Sequence, residues 1–101
     1  MKLITAVLAP EKLDAVAAAL AEVEVFRMTV TECRGVRQGD GGLVDKVKLE
    51  IAVNENFVKP TLGALQSAGQ LEEDSGFGKI FVTELLDVVR IRTGERGPDA
   101  I

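Results

Sequence analysis

The residues in this chain best suited to chemistry are cations set among glycines. Gly76-Phe77-Gly78-Lys79 forms a tight turn that delivers a lysine into the apolar run Ile80-Phe81-Val82. Glycine lets exposed amides approach an anion without a Cβ clash, and a lysine at the turn's edge adds a point charge suited to phosphate. Further on, Arg90 and Arg92 alternate with Val89 and Ile91 and lead into Thr93-Gly94-Glu95-Arg96-Gly97. On a strand, residues two apart share a face. Two guanidinium groups so placed repel unless an anion or acidic side chains lie between them. Each motif has a plainer reading. The turn alone reads first as a solvated lysine, and the arginines read equally as a surface stripe paired with acids such as Glu50. Arg34, Arg37 and Gln38 lie in a glycine-rich stretch that is ordinarily just solvated. Thr29 reads first as a polar position on a strand face, and Glu72-Glu73-Asp74 as a solvated acidic turn.

The elements that must position these residues follow from periodicity. Residues 2–8 are aliphatic on both faces and stop at Pro10, which predicts a central strand. Residues 11–23 place Leu13, Val16, Ala17 and Leu20 on one helical stripe, with Pro10 at the helix start. Phe26, Met28 and Val30 alternate with Arg27, Thr29 and Thr31, predicting a half-buried strand over 25–32. The pattern breaks from 33 to 44, where four glycines and Asp40-Gly41 predict a mobile loop. Val47, Leu49, Ile51 and Val53 alternate through a strand at 46–53. Asn54-Glu55-Asn56 can cap a helix over 57–68, with Pro60 in its first turn. Strand segments follow at 80–82 and 88–91. Two strand-helix-strand units predict an α+β, ferredoxin-like double βαβ fold with an antiparallel sheet and both helices on one face. The uncovered face predicts self-association.

Composition narrows the function. At 101 residues the chain is read as one domain, 1–101, and its 47% hydrophobic content supplies a core. No apolar stretch approaches the ~20 residues of a spanning helix, and the start lacks a signal-peptide pattern. A single cysteine, Cys33, fits a reducing compartment, so the expectation is a cytoplasmic protein without membrane insertion. The net charge of −4 and pI of about 4.8 argue against general nucleic-acid binding. With no histidine and one cysteine, zinc chemistry and most acid–base catalysis are not expected.

The same segments resemble the P-II signal-transduction family nearly end to end. They are Met1-Lys2-Leu3-Ile4, Pro10-Glu11-Lys12-Leu13-Asp14, Met28-Thr29-Val30-Thr31-Glu32 leading to Gly35, Arg37-Gln38, and Lys46-Val47-Lys48-Leu49-Glu50-Ile51. The most specific are Gly76-Phe77-Gly78-Lys79-Ile80-Phe81-Val82 and Arg90-Ile91-Arg92-Thr93-Gly94-Glu95-Arg96-Gly97. The resemblance implies a homotrimer that binds adenine nucleotide (ATP, ADP or AMP, with or without magnesium) in clefts between subunits. It implies no prosthetic group. On that analogy Gly76, Phe77, Gly78 and Lys79 belong to the phosphate-holding B-loop. Arg90 and Arg92 close a neighbour's cleft. Gly35, Arg37 and Gln38 match the base of the T-loop, and Thr29 lies near the adenine.

The chain departs from the family at 69–75, which is irregular against the usual pattern, and in two further places. The family's long T-loop, which carries a tyrosine modified in some bacterial members, is cut here to 35–45. There is no tyrosine anywhere, so that modification is impossible. Phe77 stands where the family usually has aspartate. The implied role is a non-enzymatic regulator that signals energy, nitrogen or carbon status to a membrane transporter or metabolic enzyme. The alternatives are a scaffolding trimer with a vestigial site, a slow nucleotide hydrolase, and a ferredoxin-like metal-tolerance trimer, which would leave the Arg90–Glu95 motif unexplained.

Overall fold

A computed structural model describes residues 1–69 and 78–101. In chain order it contains β1 (Lys2–Leu8), α1 (Leu13–Glu22), β2 (Thr29–Val36), β3 (Leu43–Val53), α2 (Glu55–Ala68) and β4 (Ile80–Glu84). The strands form one sheet in the order β2-β3-β1-β4, every neighbouring pair antiparallel. This is the ferredoxin-like arrangement of two strand-helix-strand units.

Register decides what is buried. Ile4 sits opposite Ile51 on one side and Val82 on the other, and Ala6 opposite Leu49. Because strand side chains alternate, these residues face the helices. There Ile4, Leu49 and Ile51 close over Val16 and Leu20 of α1 and Leu65 of α2. Leu3, Thr5, Glu50 and Ala52 fall on the opposite face, which neither helix covers. Thr61 is sealed in this core, and its hydroxyl has no hydrogen-bond partner among the described residues.

Several elements differ from the sequence reading, each for a local reason. Pro10–Lys12 is a single 3-10 turn, and α1 proper starts at Leu13. The strand expected over 25–32 begins at Thr29. Beyond α1, Val25 N–H donates to Leu20 O at 2.9 Å and Glu24 N–H to Ala21 O at 3.0 Å. With Glu24 left-handed at φ 64°, this is a Schellman termination. It turns residues 25–28 across the end of the sheet before pairing starts. As an edge strand, β2 buries little of either face, with Val30 42% and Val36 62% exposed, and Phe26, which precedes it, is 73% exposed.

The loop expected at 33–44 is mostly hairpin. The pairs Cys33–Lys46 through Val36–Leu43 continue the ladder, leaving residues 37–42 as the turn. Gly35 therefore takes an extended strand conformation, whereas Gly39 and Gly41 supply the positive φ values, 107° and 73°. Pro60 lies in the second turn of α2, because the helix begins at Glu55. Asn54 precedes that helix without capping it through its side chain. Its amide instead donates to Pro98 O at 3.1 Å. Residues 88–91 form no strand. One bridge, Val89–Arg96, closes a tight reversal.

Thr61→Val, which removes an unpartnered buried hydroxyl at nearly constant shape, raises stability by about 1 kcal/mol. Leu49→Ala lowers it by about 2–5 kcal/mol. Urea midpoints at unchanged slope measure both.

Candidate functional site

The open face of the sheet carries a groove of about 560 Å³ in which Thr29 meets Met28, Glu50, Ala52 and Val88. The pairing of Thr29 with Glu50 puts both side chains on this face. The Schellman turn brings Met28 in from one side. Ala100 and Ile101 form part of the far wall. Of the residues lining this groove, sequence reasoning singled out Thr29 as a candidate and did not single out Glu50, Ala52, Val88 or the 100–101 wall. The alternation of β3 held the signal for Glu50 and Ala52, and only the β2–β3 register connects them to Thr29.

The remaining cations fall into two groups at opposite ends of the sheet. β1 and β3 stop pairing at Leu8–Val47, so the hairpin carrying Gly35, Arg37 and Gln38 projects past that end. Arg37 is clasped within the turn: its Nε lies 3.4 Å from Asp40, and Asp40 accepts Gly42 N–H at 2.9 Å. Gln38 is exposed. Gly78 and Lys79, both exposed, enter β4 at the same end, since Ile80 pairs with Ala6. A Cβ at Gly78 would meet nothing within 4 Å, so packing within the described chain does not require a glycine there. Gly76 and Phe77 lie outside the described residues.

Arg90 and Arg92 follow the other end of β4, whose five residues span about 17 Å at ~3.4 Å each. They do not share a strand face as expected. Arg90 N–H bonds Glu95 O, and Gly94 N–H bonds Arg90 O, both at 2.9 Å. These bonds fold 90–95 into a turn with Arg92 at its tip. The Arg90 side chain donates from Nε to Ala100 O at 3.2 Å and from Nη2 to Ile101 O at 3.5 Å. Its Nη1 lies 3.7 Å from Glu95. Arg92 is exposed, with no ion pair among the described residues. Glu50 pairs with Lys48 at 3.8 Å and not with either arginine.

Two ion-pair clusters brace this end. Glu84 and Glu55 flank Lys2 and raise its pKa, the Glu84 hydrogen bond contributing most. The Met1 ammonium, 2.9 Å from Glu55, pulls that carboxyl below its usual range. The Arg96 guanidinium bonds Asp87 and holds its carboxyl below the ordinary 3.8. Asp87 also accepts Val88 N–H at 2.8 Å, which ties the clamp to the groove's edge.

The fold and groove define an α+β ferredoxin-like protein with cationic clusters at both ends of an open sheet face. The family described as Nitrogen regulatory protein P-II matches residues 1–95. Over the whole chain it is 40% identical to nitrogen regulatory protein GlnK1 of Methanosarcina mazei, covering 97% of that protein. It is 41% identical to nitrogen regulatory protein P-II of Azospirillum brasilense, covering all of it. It is 42% identical to nitrogen regulatory protein P-II 1 of Methanothermobacter thermautotrophicus, covering 97%. The chain belongs to the P-II family of nitrogen regulatory proteins. The alignment to the Azospirillum protein has 113 positions for 101 residues, a surplus of 12 that this chain lacks. Among the described residues no helix is long and apolar enough to cross a membrane.

Because the folded pKa of Asp87 is depressed, its contribution to stability is fully present above about pH 4. It is lost as pH falls below that value. Asp87→Asn therefore has a shallower decline of stability between pH 4 and pH 2 than the unmodified chain, measured by urea denaturation at each pH.

Proposed function

We propose that the chain is a trimeric, non-enzymatic P-II regulator of the cytoplasm that binds adenine nucleotide in clefts between its subunits. It is a single unit over 1–101, and its shortened T-loop, the β2–β3 hairpin, contacts a regulated transporter or metabolic enzyme. Nucleotide occupancy reports energy, nitrogen or carbon status to that partner.

One observation carries this reading. The candidate phosphate ligands of a single subunit stand at opposite ends of β4, with Lys79 at one and Arg90 and Arg92 beyond the other. A site using all of them is complete only when one subunit's lysine end meets a neighbour's arginine end. The apolar surface for that meeting is present, since Leu86 is 97% and Ile91 103% exposed in the isolated chain. Exposed large aliphatics of this kind favour association. The Thr29 groove offers an apolar floor with a carboxylate, suited to a flat base bearing an amino group. The open space at Gly78 would let phosphates approach the backbone. The shortfall of 12 positions against a relative accords with a shortened loop. Any magnesium would come on the nucleotide's own phosphates, as no metal-holding group of acidic residues gathers among the described residues.

A second reading, a scaffolding trimer with a vestigial site, is favoured by the Arg90 guanidinium, which already serves its own chain. Calorimetry with ATP, ADP and AMP, alongside sedimentation mass, separates the two. Saturable binding of nucleotide to a trimer is expected, with Lys79→Ala weakening ATP by about 1–3 kcal/mol. A trimer silent to millimolar nucleotide supports the scaffold. A monomer removes the shared site altogether.

A further inference from the structure

A second cavity, of about 220 Å³, lies at the end of the sheet where α1 leads toward β2 and β3 leads into α2. Glu24, Val25, Val53, Asn54 and Phe57 line it and do not line the open-face groove. Phe26, Arg27, Ala52 and Ile101 form the wall between the two. Drug-sized ligands fill roughly 300–1,000 Å³, so this cavity suits something smaller than a nucleotide.

Its chemistry follows from how the chain reaches it. The Schellman turn, closed by Val25 N–H on Leu20 O, fixes Glu24 at the rim in a left-handed conformation. Residues 26 and 27 then cross the end of the sheet, and Arg27 stands exposed. One carboxylate and one guanidinium therefore border the cavity, and neither forms an ion pair among the described residues. The floor is apolar. Val53 is buried, and Val25 and Phe57 pack against the core beside it. Asn54 adds a neutral acceptor. Its amide is committed to Pro98 O, and its Oδ1 is buried with no donor among the described residues. Such an acceptor is destabilising until a donor reaches it. A simple anion or cation in this cavity would match one charged side chain and leave the other unmatched. A zwitterion with an apolar tail matches both.

We propose that this cavity is a second binding site, for a free α-amino acid with an aliphatic side chain. Arg27 takes the carboxylate, Glu24 and Asn54 take the ammonium, and Val25, Val53 and Phe57 hold the side chain. The site does not depend on the nucleotide reading above and shares only the dividing wall with the groove.

Calorimetry of the full chain with leucine tests this, against probes that each lack one feature. Leucinamide lacks the carboxylate, isocaproate the ammonium and glycine the tail. Leucine is expected to bind saturably, and each loss to weaken binding about tenfold. Arg27→Gln should then bind leucine and leucinamide alike, and Glu24→Gln should bind leucine and isocaproate alike. Both side chains are exposed, so the fold withstands either change. Methyl NMR locates the ligand: the Val25 and Val53 signals should move, and those of Val88 and Ala100, which line only the groove, should not. The proposal is overturned if leucine does not bind. It is also overturned if leucinamide equals leucine on the unmodified chain, as capture of a peptide's amino terminus would require, or if Val88 and Ala100 respond while Val25 and Val53 do not.

Discussion

The structure depends on the antiparallel pairing of β1 with β3 and on the parity that this pairing fixes. Once Ile4 lies opposite Ile51 and Ala6 opposite Leu49, every even position of β1 must face the helices. A slip of one residue would exchange the two faces. The helices cover only one of them. The same constraint that seals the core therefore leaves Leu3, Glu50 and Ala52 on a face that only a ligand, a neighbouring copy or the chain's own ends can cover. Core and groove are two readings of one register.

Helix-facing alternation and the order of elements were legible in the sequence because they rest on local periodicity. Val47, Leu49, Ile51 and Val53 are buried as their spacing requires, and β1 has the expected limits. Residues 33–36 and 43–44 were not legible as strand. Glycine weakens a strand, but Gly35 is carried by a ladder already running from Thr29–Glu50. The alternation of Arg90 and Arg92 misled for the opposite reason. A two-residue period predicts a strand only where a partner strand lies alongside, and residues 88–91 fold back on 94–97 instead.

The candidate site was legible as a set of residue types but not as an arrangement. Lys79, the arginines and Thr29 were all visible as chemistry. The distance between them is set by β4, and the occupation of Arg90 by carbonyls of Ala100 and Ile101 arises from backbone groups that carry no sequence signature. Asn54 was read as a helix cap, the commonest use of that residue at that place. Tertiary contact with Pro98 took its amide instead.

The hairpin between β2 and β3 has a thermodynamic consequence. Only residues 37–42 lie outside the ladder. Even these are tied by Gly41 N–H to Arg37 O at 3.1 Å and by the Arg37–Asp40 pair. A long flexible loop surrenders conformational entropy when it docks, and that loss is subtracted from its affinity. This short, pre-formed element has little left to surrender. If it contacts a partner as proposed, it would do so as a shaped object of fixed reach, with selectivity set by fit and by the angle at which the sheet presents it.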